Sequence, residues 1–206
     1  MLNRISLKAG PAPGAPALDW TPSTATVVVG PNHSGKSLLL RELLEYVHSQ
    51  TDGLRKAYDS VPPERRAVRP EPDRWSPAEI VHHLVIVDRR INQRLKAMIE
   101  EARALPPESD DSSIVATVAQ RVATRDRRFK TSEASEPRDT DPSRIWDDLA
   151  VVRRELEEIV TTGDGLALGK VFAPHPALGP LCGYDWVAFV GAHAARHADQ
   201  IRESSG

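Results

Sequence analysis

Apolar residues recur along this chain at two periods, and the change from one to the other divides it. Residues 4–9 (RISLKA) and 24–29 (TATVVV) are short apolar runs that read as strands, with the proline-rich loop PAPGAPALDWTPS between them. From Lys36 onward the spacing is helical. Leu38, Leu39, Leu40, Leu43, Leu44, Val47, Leu54 and Tyr58 form one stripe that runs until VPPE at 61–64. A loop rich in proline and arginine follows, roughly 61–74.

Ser76-Pro77 opens a second helix, with serine at the N-cap and proline at the first helical position. It is expected to run to about Ala104, before Pro106-Pro107. A polar stretch comes next, mostly loop, with a short helix expected at 113–123. Asp141-Pro142-Ser143 starts a third long helix carrying Ile145, Trp146, Leu149, Val152, Leu156 and Val160 on one side, and Thr161 to Gly165 stops it. After the loop LALGKVFAPHPALGPL, Tyr184-Asp185 begins a fourth helix reaching about Glu203. Four long helices predict an antiparallel four-helix bundle, preceded by a short strand-containing segment. The division expected is 1–44 and 45–206.

Charge and cysteine content narrow the setting. Lys and Arg total 27 and Asp and Glu 29, for a formal net charge of −2, so no global positive field recruits nucleic acid. The single cysteine, Cys182, allows no intramolecular disulfide and no CxxC motif. The N-terminus lacks the apolar core of a signal peptide and no run is long enough to span a bilayer. A cytoplasmic protein without a membrane partner is expected.

The histidines carry the candidate chemistry. On the second helix the inward series is Ile80, Leu84, Val87, Ile91, Leu95 and Met98; His83 falls on that face, and His82 is turned about 100° away. On the fourth helix the inward series is Trp186, Val190, His193, His197 and Ile201. His193 and His197, at i and i+4, project from one face and can reach one ion. Residue 194 is alanine, so the glutamate of an HExxH protease is missing. Three neutral imidazoles suit a divalent metal such as Zn or Ni and leave positions open for a small ligand. Glu79, one turn before His83, is the candidate catalytic base, fourth ligand or outer partner of the site. Cys182 reads as a small packed residue or a reactive thiol. His175 reads as turn chemistry or an outer partner of the site. Arg121, Arg125, Arg127, Arg128 and Lys130 form a local basic run on a loop.

The stretches WSPAEIVHHLVIVDRRI (75–91) and HPALGPLCGYDWVAFVGAHAARHADQI (175–201) together resemble the signatures of the DinB-like family, metal-binding four-helix bundles related to YfiT. RRFKTSEASEP is similar to the loop these proteins place between their second and third helices. The resemblance covers about residues 45–206. It implies a metal held by His83, His193 and His197, a frequent homodimer, and, as in the characterised members, transfer of a low-molecular-weight thiol to a small electrophile.

A second resemblance lies upstream. VVVGPNHSGKSLLLREL at 27–43 completes GxxxxGK[ST], and together with the residues before it, from Leu2 on, it resembles the start of RecF/SMC-type and related AAA ATPases. Gly30, Asn32, Ser34, Gly35, Lys36 and Ser37 are then the candidate nucleotide contacts. Backbone N–H groups would cradle the phosphates, Lys36 would meet the β- and γ-phosphates, and Ser37 would hold Mg2+. The remaining parts of such an enzyme are missing: LVIVD at 84–88 lies inside a helix, and no further parallel strands follow. This segment is expected not to hydrolyse ATP on its own; the alternatives to the metal-dependent reading are Mg-ATP binding through this loop and a metal-free dimeric bundle acting as an interaction scaffold.

Overall fold

The computed structural model describes residues 5–7, 18–20, 26–27, 36–106, 113–114, 118, 121–122 and 133–205. Four long helices dominate: α1 (Lys36–Asp59), α2 (Pro77–Arg103), α3 (Ile145–Thr162) and α4 (Gly183–Ser205). They build the expected helical bundle. None of the described helices is long and apolar enough to cross a membrane.

Side chains satisfy the exposed backbone groups at two of the helix ends. Ser76 caps α2: its hydroxyl accepts from Glu79 N–H at 3.2 Å while the Glu79 carboxylate accepts from Ser76 N–H at 2.8 Å. The end of α1 is closed by Arg66, which donates to the carbonyls of Asp59 and Val61. Residues 141–144, expected as the first turn of α3, instead form a turn in which the Asp141 carboxylate accepts from Ser143 N–H and Oγ–H. Helix α3 therefore starts at Ile145. It stops at Gly163, followed by Gly165 at φ 78°, a conformation that needs no side chain.

Contacts between helices set their directions. Tyr46 meets Gly191 and Arg202 reaches the Gly53 carbonyl, so α1 and α4 run parallel. Asp88 pairs with Arg153 and Ile99 touches Gly163, so α2 and α3 are also parallel. Arg94 covers Trp186 while Arg74, just before α2, reaches Ser204, so α2 opposes α4. The bundle thus runs up, down, down, up. A parallel pair cannot be joined by a tight turn, which is why the α2–α3 connection is long.

Strands are peripheral. β1 (Ile5–Leu7) pairs antiparallel with β2 (Leu18–Trp20), a segment expected as loop. β3 (Thr26–Val27) pairs with β4 (Ser113–Ile114), at a position expected to open a short helix; Val118, Arg121 and Val122 are helical. β5 (Phe172–His175) and β6 (Gly179–Cys182) form a hairpin where 166–181 is expected as loop. Pro174 and Pro180 masked its strand pattern, because proline cannot complete a ladder.

The core divides in two. One cluster joins Val47, Ile91, Leu95, Leu156, Trp186 and Val190, and the other joins Leu54, Leu84, Val85, Leu149, Val152 and Ile201. On each helix the switch between clusters falls in one or two turns. The buried polar residues Asp88, Arg153, His193 and His197 sit in that interval, with His83 close by.

Candidate metal centre

The three histidines singled out by helical spacing meet. His83, His193 and His197 are all buried, and one ring nitrogen of each lies within 4.8 Å of the others. Ring centroids are 5.3 Å apart for His83–His193, 5.1 Å for His83–His197 and 4.5 Å for His193–His197. His193 and His197 come together because α4 places them one turn apart. His83 joins them because α2 crosses antiparallel at that level.

Outer hydrogen bonds fix two of the rings. His83 Nδ1–H donates to the Ser135 carbonyl at 2.7 Å, and His197 Nδ1–H donates to Gln200 Oε1 at 2.8 Å. A ring that donates through Nδ1 keeps its lone pair on Nε2. The Nε2 atoms of His197 and His193 face each other at 3.0 Å. Two nitrogens bound at ~2.0–2.1 Å around a tetrahedral ion stand roughly 3.3 Å apart, so the observed spacing is nearly that of ligands. His193 Nδ1 is buried without a hydrogen-bond partner among the described residues.

Burial favours the neutral form of His83 and His193. Burial holds His83 below the usual imidazole range, with His82 adding to the effect against the Ser135 hydrogen bond. Burial holds His193 well below it, reinforced by His197, His83 and Arg153. A neutral imidazole is the form that ligates a metal. The donor set, its tautomers and its spacing therefore fit a divalent ion.

Aromatic side chains wall the cluster. Trp75 lies 4.9 Å from the His83 ring, and Phe189 stacks on His193 at 5.1 Å. The segment Glu133–Ser135, within the loop singled out by RRFKTSEASEP, supplies the carbonyl under His83. Arg90 of α2 fastens it by donating to Ser135 Oγ and the Ala134 carbonyl.

Other sequence candidates are placed differently. The carboxylate of Glu79 is engaged by Ser76 N–H and by the Arg69 guanidinium, at 2.6 Å for the shortest contact. These hydrogen bonds outweigh partial burial and hold its pKa below the usual carboxylate range. Glu79 is not among the residues whose ligand atoms converge. His82 turns to Thr140. His175 Nδ1 accepts from the N–H groups of Ala177 and Leu178 and builds the hairpin turn. Cys182 is buried in the core, its thiol pushed up to about 12 by burial and by Asp185, which makes it a packed residue and a poor nucleophile at neutral pH. Gly30, Asn32, Ser34 and Gly35 lie outside the described residues, as do Arg125, Arg127, Arg128 and Lys130; Lys36 and Ser37 begin α1.

Sequence reasoning missed five residues: Ser135, Gln200, Arg90 and the buried pair Asp88 and Arg153. Gln200 carried a legible signal, standing three residues after His197 on the same face. The Ser135 contribution is a backbone carbonyl, which no side-chain pattern reveals.

Residues 46–201 match the family described as the DinB superfamily. The match begins downstream of GPNHSGKS and lends that stretch no support. The chain is also similar to the uncharacterized protein YuaE of Bacillus subtilis (strain 168), at 27% identity over 142 residues, which cover 68% of this chain and 83% of that protein. No solved structure matches it.

Proposed function

This chain belongs to the DinB superfamily, and we propose that it holds one divalent metal ion, Zn or Ni, through His83, His193 and His197 and serves as a metal-dependent thiol transferase or hydrolase. The observation that carries the reading is the convergence of three buried imidazoles, two of them with tautomers set by outer partners. An ion bound there would keep open positions and lower the pKa of a thiol or water bound to it.

The chain's own residues prepare that chemistry. Burial keeps the His83 and His193 lone pairs free of protons at neutral pH. Ser135 and Gln200 orient two of the rings, as the outer partners of ligating histidines do. Trp75 and Phe189 shield the cluster from bulk water. In this reading the substrates are a low-molecular-weight thiol and a small electrophile, and the protein works as a cytoplasmic homodimer.

Elemental analysis after refolding with Zn or Ni tests the site. The wild type should retain about one equivalent per chain. His83→Ala and His193→Ala should each retain far less while keeping a helical circular-dichroism spectrum. Wild-type content below about a tenth of an equivalent would rule the metal out.

A further inference from the structure

Two arginines without carboxylate partners among the described residues flank the β5–β6 turn. Arg94 of α2 donates from Nη1 to the Pro174 carbonyl, and its guanidinium lies 4.6 Å from the Trp186 ring centre. Arg121 donates from Nη2 to the Leu178 carbonyl. Between those two carbonyls stands His175, whose Nδ1 accepts from the N–H groups of Ala177 and Leu178. A neutral imidazole that accepts through Nδ1 carries its proton on Nε2. Burial holds His175 below the usual imidazole range, with Arg94 and Arg121 adding to the effect, so Nε2–H is a fixed donor at neutral pH. No carboxylate offsets the two arginines at this ring among the described residues.

The spare donors are open to a ligand. His175 and Arg94 are half-buried, and Arg121 is exposed. His175 Nε2 and Arg94 Nε and Nη2 meet no acceptor among the described residues, and none of the three is enclosed. The unpartnered side-chain atoms shut off from solvent lie elsewhere, on Asp88, Asn92, Trp146, Arg153, Trp186 and His193. The carbonyl contacts hold both guanidinium groups in place before anything binds, which lowers the ordering cost of binding. Two positive charges and an imidazole N–H around one turn call for an oxyanion, and the planar guanidinium fork matches a carboxylate or a phosphate. The turn also adjoins the histidine cluster: the His175 ring is 4.8 Å from Phe189, and Phe189 is 5.1 Å from His193.

We propose that the β5–β6 turn binds the oxyanion group of a small molecule, a carboxylate or a phosphate, through His175 Nε2–H, Arg94 and Arg121. The site stands on its own residues, whether or not the histidine cluster holds a metal. It places the anionic end of a ligand one phenyl ring away from that cluster.

The test follows the His175 Cε1–H resonance by NMR, assigned through His175→Gln, while the full chain is titrated with succinate, inorganic phosphate or succinamide. Succinate, phosphate or both should shift it saturably and bind at least about tenfold tighter than succinamide. A response to one anion alone names the group as carboxylate or phosphate. Arg94→Gln and Arg121→Gln should each weaken that binding by at least about tenfold. Arg89→Gln removes an equal charge on the α3 side of α2, where Arg89 acts on Glu155, and should change the affinity by less than about twofold. Arg121→Gln, at an exposed side chain, decides the matter if Arg94→Gln fails to fold. Unsaturable shifts, or succinamide binding as tightly as the anions, mean that the turn only meets solvent. Equal weakening by Arg89→Gln and Arg121→Gln means that a diffuse field attracts the anion. Any of these results, or an affinity unmoved by Arg121→Gln, overturns the proposal.

Discussion

At the scale of the residue, the decisive feature is where charge is tolerated inside the bundle. Asp88 and Arg153 are both buried, and their 3.1 Å contact offsets only part of what water would supply. Desolvation still wins at Asp88, whose pKa rises from 3.8 to about 6 despite Arg153. A carboxyl raised in this way resists ionisation in the fold. Its penalty is full above about pH 6 and is relieved as the pH falls toward the unfolded value of 3.8. Removing Arg153 deepens the penalty, because it leaves an uncompensated buried charge. Arg153→Met is expected to cost about 3–5 kcal/mol at neutral pH. The loss should shrink as acid protonates Asp88, and urea denaturation at pH 7 and pH 5 measures the difference. An equal loss at both values would mean that the cost is one of packing and not of charge.

At the scale of the element, α2 shows how a helix start positions a site. The Ser76–Glu79 capping box and Pro77 set where the helix begins, and so where His83 stands seven residues later. Ser76→Ala should cost about 0.5–2 kcal/mol, the usual worth of an N-cap. Glu79→Gln keeps an oxygen for Ser76 N–H and loses the charge pair with partly exposed Arg69, so about 1 kcal/mol or less is expected. Metal content should not change with Glu79→Gln. A large fall in metal content with unaltered stability would return Glu79 to the site as a ligand. The hairpin of β5 and β6 has a comparable role for α4: Cys182 N–H donates to the Asp185 carboxylate, fixing the first turn of the helix that carries His193 and His197.

At the scale of the whole molecule, the bundle depends on how closely α1 and α4 approach. A Cβ placed on Gly191 would lie 2.6 Å from Tyr46 Cε1, too near for any contact, and the ring is a rigid neighbour. Helix propensity alone would favour alanine there by about 0.5–1 kcal/mol. Overpacking costs about 1–3 kcal/mol and should win. Gly191→Ala is therefore expected to lower the urea midpoint. Tyr46→Leu, which removes the ring, should reduce that loss when combined with it, and strict additivity of the two would show that this contact is not the cause. The two apolar clusters with a polar interval between them also belong to this scale. Side chains from three helices meet in that interval, and none of them explains it alone.

Local chemistry was enough to read much of this protein from its residues. Helical periodicity placed four helices and put His83, His193 and His197 on inward faces, because the 3.6-residue repeat decides which side chains share a face. The cap at Ser76 was legible for the same reason: its hydrogen bonds close within four residues. What lay beyond was decided by contacts between segments distant in the chain. The parallel pairing of α1 with α4 and of α2 with α3, the Ser135 carbonyl under His83, and the Asp88–Arg153 pair each join residues dozens of positions apart. No periodic pattern records such pairings. The β5–β6 hairpin escaped because its prolines break the strand pattern that its turn otherwise supports. The sequence by itself determined which imidazoles face inward; tertiary structure decided that they meet, since only the crossing of α2 against α4 brings two helical faces to one point.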